Sequence, residues 1–250
     1  MSAFWQAVGF LTRFPVPKSA QSLEGWERSP RYYPTVGLLL GAAIWIVGWL
    51  AEMGFGEAGT IVTAVVAVAF WIFATGALHL DGWMDLADGL GSQRSRERTL
   101  EIMKDSRVGA MGVVAAIVLI MLKAAALWQL SSVEGWMAVL VVPAMARAAL
   151  LGAIYYFPYI QDKGLGSGLR QGVMPTILFV NAALVLAVSY GAAGLPGALA
   201  FASLVPALWL FGRYIVRRLG GFTGDVYGAL IEGAEVLALL VLLILIEHIG

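Results

Sequence analysis

The run His79-Leu80-Asp81-Gly82-Trp83-Met84-Asp85-Leu86-Ala87-Asp88-Gly89 places three carboxylates at i, i+4 and i+7 in a chain that is only 13% charged. At about 100° per residue these positions fall within an arc of about 60°, so Asp81, Asp85 and Asp88 project from one helical face. Three anions on one face repel each other, and a hard divalent cation among them removes the repulsion. Carboxylates one turn apart, with Cβ atoms about 5–6 Å from each other, can share one cation or a pair about 4 Å apart, as in two-metal phosphoryl transfer. A plain solvated helix end would also carry acids. It would leave Gly82 and Gly89 unexplained, since glycine weakens a helix but lets a backbone or a ligand come close.

Two further constellations carry complementary chemistry. In Met103-Lys104-Asp105-Ser106-Arg107-Val108-Gly109, two cations flank an acid and a hydroxyl, a combination suited to gripping a phosphate beside a metal. In Gly220-Gly221-Phe222-Thr223-Gly224-Asp225, three glycines surround Thr223 and Asp225 where a helix opens. Free backbone N–H groups there can meet an anion, although Asp225 taken alone reads as an N-cap. Glu232 and Glu235 follow inside an apolar run, where acids face a cavity or a partner. Arg147, in another apolar run, is a candidate counter-charge, and Lys123 has no assigned role. Near the amino terminus, Arg13 and Arg31 sit beside aromatics and prolines, which suits either interfacial anchoring or substrate binding. His79 could ligate a metal or act as a base, but a lone histidine at a helix end more often does neither.

The elements that must position these residues are apolar helices. The chain is 60% hydrophobic, with zero net charge and no cysteine. That excludes disulfides and thiolate chemistry, and offers no bulk attraction to nucleic acid. Apolar runs near the roughly 20 residues needed to cross a bilayer recur, which predicts an all-α polytopic membrane bundle of about seven helices. The expected spans are 34–53, 60–79, 108–130, 136–156, 175–193, 197–216 and 226–246. No cleavable signal sequence, internal repeat or second domain is visible. Residues 1–250 read as one integral-membrane domain, with 1–33 as an interfacial segment and 80–107 as a polar catalytic segment. Residues 2–14 are too short to span and could lie in the interface, and Gly37-x-x-x-Gly41 suits close helix packing. Basic residues cluster before the first span (Arg13, Lys18, Arg28, Arg31), after the second (Arg94, Arg96, Arg98, Lys104, Arg107), after the fourth (Lys163, Arg170) and around the sixth (Arg213, Arg217, Arg218). The alternate connections carry none. This asymmetry predicts a cytoplasmic amino terminus and cytoplasmic polar loops.

Taken in order, five motifs resemble the cobalamin synthase family, the adenosylcobinamide-GDP ribazoletransferases. They are Phe10-Leu11-Thr12-Arg13-Phe14-Pro15, Tyr33-Pro34-x-x-Gly37, Leu78-His79-Leu80-Asp81-Gly82-x-x-Asp85-x-x-Asp88-Gly89, Glu101-Ile102-Met103-Lys104-Asp105-Ser106-Arg107-x-Gly109 and Gly220-Gly221-x-Thr223-Gly224-Asp225-x-x-Gly228-Ala229. The resemblance implies an inner-membrane enzyme with its active site facing the cytoplasm, working at the last assembly step of adenosylcobalamin. It would transfer the adenosylcobinamide-phosphate moiety of adenosylcobinamide-GDP to alpha-ribazole or its 5′-phosphate, release GMP and require Mg²⁺. On that reading Asp81, Asp85 and Asp88 hold the metal, and Asp105 or Asp225 adds a ligand or accepts the proton of the attacking hydroxyl. Arg13, Lys104, Arg107, Thr223 and Gly221 meet the substrate. The substrates and the lipid bilayer are the expected partners, with other cobalamin-assembly enzymes as further candidates. A CDP-alcohol phosphatidyltransferase would need an Ala-Arg pair after Asp-Gly that is missing here. A UbiA-type prenyltransferase would carry a second multi-aspartate motif. A secondary transporter would favour acids at the membrane midplane.

Overall fold

The computed structural model describes residues 2–56, 60–132, 135–161 and 164–249, so Lys163 lies outside the described residues. Helix α1 (Ser2–Leu11) ends just before Pro15 and Pro17, and two 3₁₀ turns follow at Lys18–Gln21 and Trp26–Tyr32. It does not lie free in an interface: Gln6, Ala7, Val8 and Leu11 are buried against the protein. Pro34 opens α2 (Tyr33–Phe55), whose Gly37 and Gly41 lie against Ala144 and the Leu140 carbonyl as the small-residue spacing predicts. These neighbours belong to the start of α7 (Val142–Tyr156) and the turn before it, and α7 is buried along most of its length.

Helix α3 (Thr60–Thr75) stops four residues short of the expected 60–79 span. Gly76 and Ala77 both adopt left-handed backbone, at φ of +62° and +56°. The Ala77 N–H bonds the Ile72 carbonyl and the Gly76 N–H bonds that of Phe73, which is the Schellman pattern that closes a helix. The next helix, α4 (Leu78–Gly91), leaves at 90°. A short helix α5 (Arg96–Ile102) leads to α6 (Ala110–Ser132). Helix α8 (Pro175–Leu219) is interrupted where Gly194 takes φ +58°, ψ −145°. Pro175, Leu178 and Asn181 border the same groove as Phe201, Leu204 and Leu208, so the two limbs fold back side by side. The last helix, α9 (Gly224–Ile249), packs against α4, α6, α7 and α8. Among the described residues five helical stretches are long and apolar enough to cross a membrane, or six when the bent α3–α4 pair counts as one. Large apolar side chains such as Phe73, Phe179, Val205 and Leu210 stand exposed on their outer faces, as a lipid-facing surface requires.

One polar knot ties these helices together. Lys123 of α6 reaches both Glu232 and Glu235 of α9 at 2.5 Å, and Glu235 also accepts from Arg147 of α7. Arg147 in turn contacts Nδ1 of His79 on α4 at 3.4 Å. The Lys123 ammonium lies 4.4 Å from the centre of the Trp71 ring on α3. Arg147 was expected as the counter-charge, and Lys123, unassigned from sequence, completes a set of two cations and two anions that balances. Each member would be intolerable in an apolar interior alone, so the set dictates how five helices register.

Glu235→Gln leaves Arg147 buried without its anion. It is expected to cost about 3–5 kcal/mol, read as a large drop in the thermal unfolding midpoint in detergent. Replacing Arg147 and Glu235 together with Met should recover most of that loss.

Candidate active site

Glycine contacts set the site. A Cβ on Gly82 would stand 2.6 Å from the Asp225 carbonyl oxygen, and one on Gly228 would stand 3.1 Å from the His79 carbonyl. The backbones of α4 and α9 are therefore in direct contact, and the two aspartate-bearing turns face each other. Asp81 and Asp225 border one cavity of about 240 Å³, together with His79, Gly224, Gly228 and the aromatics Phe10, Tyr33, Tyr159 and Tyr227. Burial, then the negative charges of Asp81, Asp225 and Asp88, push the Asp85 carboxyl up to about 7. No cation is among these causes, so at Asp85 the crowding of acids is not offset by a protein charge.

All three acids of the opening motif lie on α4, but they face different neighbours. Asp88 accepts the N–H groups of Gly109 and Gly112 at 2.7 Å each. Its two oxygens thus cap the amino end of α6, a duty the sequence did not disclose. Asp81 is exposed at the cavity lip and Asp85 is half-buried. Asp225 is not the N-cap that it would be if taken alone. Thr223 fills that role, its buried hydroxyl accepting the Val226 N–H at 3.3 Å. This leaves the Asp225 carboxylate 3.4 Å from the Thr223 hydroxyl, on the cavity. Gly221 allows the Pro158 carbonyl within 2.5 Å of where a Cβ would stand. Phe222 exchanges backbone hydrogen bonds with Pro158 and Ile160. That pairing holds Tyr159 over the cavity.

The cations divide as well. Arg107 grips Asp105 through several hydrogen bonds, the shortest 2.6 Å, in an exposed pair. The guanidinium holds the Asp105 carboxyl down to about 2, so Asp105 is a weak proton acceptor. Lys104 lies close enough to Asp225 to act on its charge. Arg13 donates its backbone N–H to Ala74 and lays its side chain across Gly76, at the root of α4. Arg170, which no motif singled out, lies within electrostatic range of Tyr227. Arg96 bonds the Leu219 carbonyl at 2.6 Å and Arg218 bonds that of Arg94 at 2.6 Å, fastening the segment around α5 to the glycine turn. Among the described residues no three metal-ligating side chains close on one point. Phe10 and Tyr33 stand in the amino-terminal motifs, whereas Tyr159 and Tyr227 were not singled out because they reach the cavity from distant segments.

A helical membrane bundle with a carboxylate-bordered cavity at the joint of a bent helix defines the class of protein. The chain belongs to the cobalamin-5-phosphate synthase family, whose profile matches residues 3–243. It is 45% identical over 250 residues to an adenosylcobinamide-GDP ribazoletransferase of Brevibacillus brevis, covering 97% of this chain and 98% of the relative. It is 41% identical to that of Desulfitobacterium hafniense, covering 96% of each, and 41% identical to that of Roseiflexus, covering 94% of this chain and 86% of the relative. No solved structure matches.

These positions separate stability from charge crowding. Asp88→Ala should lower the thermal midpoint, with a cost of about 1–2 kcal/mol for the lost cap. Asp85→Asn should raise the midpoint in chelator. Its folded carboxyl binds a proton more tightly than the unfolded one, so the metal-free protein loses stability as pH rises from the ordinary carboxylate range to about 7. The gain from Asn is therefore largest above that pH, and a midpoint series against pH checks it.

Proposed function

We propose that this chain is the transferase its relatives' names describe. It moves the adenosylcobinamide-phosphate moiety of adenosylcobinamide-GDP onto alpha-ribazole or its 5′-phosphate and releases GMP, closing the nucleotide loop of adenosylcobalamin. The observation that carries this reading is the meeting of Asp81 and Asp225, from α4 and α9, on one cavity beside the crowded Asp85. In the reaction a bond forms between the acceptor hydroxyl oxygen and a diphosphate phosphorus, while the phosphorus–oxygen bond to GMP breaks. Asp225 takes the hydroxyl proton, whereas Asp105, saturated by Arg107, stays outside the chemistry. Lys104, Arg13 and Arg170 orient the diphosphate by charge. Thr223 holds the Asp225 carboxylate in place.

The residues present fit a magnesium ion. Asp81 and Asp85 offer hard oxygen donors, and no protein cation is among the causes acting on Asp85. Among the described residues no three ligating side chains close on one point, so such an ion would complete its shell with waters and substrate phosphate oxygens. When bound, magnesium neutralises charge on the diphosphate. Asp88 supports this pair by anchoring α6 to α4.

Counting α3 and the two limbs of α8 separately gives seven crossings: α2, α3, α6, α7, two in α8, and α9. The distribution of Arg and Lys then supports a cytoplasmic amino terminus, with the cavity opening toward the cytoplasmic face of the inner membrane. The substrates and the bilayer are its partners, and the polar loops offer a surface to other cobalamin-assembly enzymes. Glu232 and Glu235, saturated by Lys123 and Arg147, do not form the open midplane site of a transporter.

Purified protein given Mg²⁺, adenosylcobinamide-GDP and alpha-ribazole should release GMP, and EDTA should abolish the release. Asp85→Asn and Asp225→Asn should each lose at least about 100-fold. Undiminished GMP release in Asp81, Asp85 and Asp225 single variants would remove the carboxylate role. Because Mg²⁺ must displace a proton from Asp85 below about pH 7, the Mg²⁺ concentration for half-maximal rate should rise as pH falls. That rise should flatten in Asp85→Asn.

A further inference from the structure

The inner part of the cavity is unlike its lip. Phe10, Tyr33, Tyr159 and Tyr227 border it with Leu150 and Ile154. Tyr159 and Tyr227 stack with centroids 5.6 Å apart and planes inclined by 13°, and Phe10 stacks on Tyr33 at 6.0 Å. At about 240 Å³ the space is below the roughly 300–1,000 Å³ of sites that enclose drug-sized ligands. It suits one flat ring system and excludes a corrin macrocycle. His79 also borders this wall, with its Nε2 buried out of reach of the cavity space. A guanidinium only donates, so the contact of Arg147 with Nδ1 at 3.4 Å makes Nδ1 the acceptor and leaves the proton on Nε2. The buried ion network therefore ends in a neutral imidazole.

We propose that this inner cavity seats the heterocyclic base of the acceptor nucleoside. The tyrosines and Phe10 supply aromatic surface for its ring. The inference rests on the acceptor assigned above, and it places the sugar hydroxyls at the lip beside Asp225. Guanine, the other base in the reaction, has polar partners at Asp81, Gln161 and Asp225 and would lose them against the aromatic wall, which is costly. A flat, mostly apolar base fits the aromatic wall.

The test is equilibrium dialysis of alpha-ribazole alone against the full chain in detergent, with KM values for both substrates measured alongside. Tyr159→Leu should weaken alpha-ribazole binding about tenfold, while Tyr159→Phe, which keeps the ring, stays within about twofold. The KM for adenosylcobinamide-GDP should move little. Unchanged alpha-ribazole binding in Tyr159→Leu, or a loss confined to adenosylcobinamide-GDP, would overturn the assignment. If wild type releases no GMP but alpha-ribazole binding still follows these variants, the proposed reaction fails and the cavity assignment stands. If wild type releases GMP while the variants bind alpha-ribazole unchanged, the reaction stands and the cavity assignment fails.

Discussion

The backbone of α9 presses so closely on α4 that no side chain fits at Gly82, where the Asp225 carbonyl is the obstacle. Everything chemical in the molecule depends on that contact. The two acidic turns come from segments more than a hundred residues apart, and a larger residue at Gly82 would separate them by about the width of the group it introduced. Helices that approach this closely in lipid gain van der Waals contact that larger residues would prevent. The same absence of a Cβ that makes glycine a poor helix former makes this contact possible.

The contact would be useless without the right angle at Gly76–Ala77. Had α3 continued, Asp81 and Asp85 would have followed the spanning direction instead of turning across the end of α9. The Schellman closure ends α3 locally, and Arg13 covers the turn from α1. Asp88 then pins the far end of α4 to the start of α6 through two backbone N–H groups. One acid of three thus supplies structural anchorage while Asp81 borders the cavity, a division of labour among side chains of identical chemistry.

The ionic knot of Lys123, Glu232, Glu235 and Arg147 supplies specificity rather than net attraction. A balanced buried set gains little over well-packed apolar residues, but any shift of α6, α7 or α9 by one residue would strand a charge. Because His79 hangs from Arg147, the knot also sets the tautomer of an imidazole on the cavity wall.

The sequence by itself determined that the chain is built of apolar helices, that three aspartates share one helical face, and that a glycine turn with Thr223 and Asp225 opens the last helix. These are consequences of short-range periodicity and local backbone chemistry, which operate within a few residues. It also carried enough ordered motifs to point to its family. Only the tertiary structure decided which acid meets which neighbour: Asp88 turned to α6, Asp105 closed on Arg107, and Asp225 released from capping by Thr223. It alone also assembled Phe10, Tyr33, Tyr159 and Tyr227 into a wall, matched Lys123 to its two glutamates, and folded α8 back at Gly194. Such pairings rest on distances between remote segments, set jointly by backbone bends and close packing, and no periodicity along the chain encodes them.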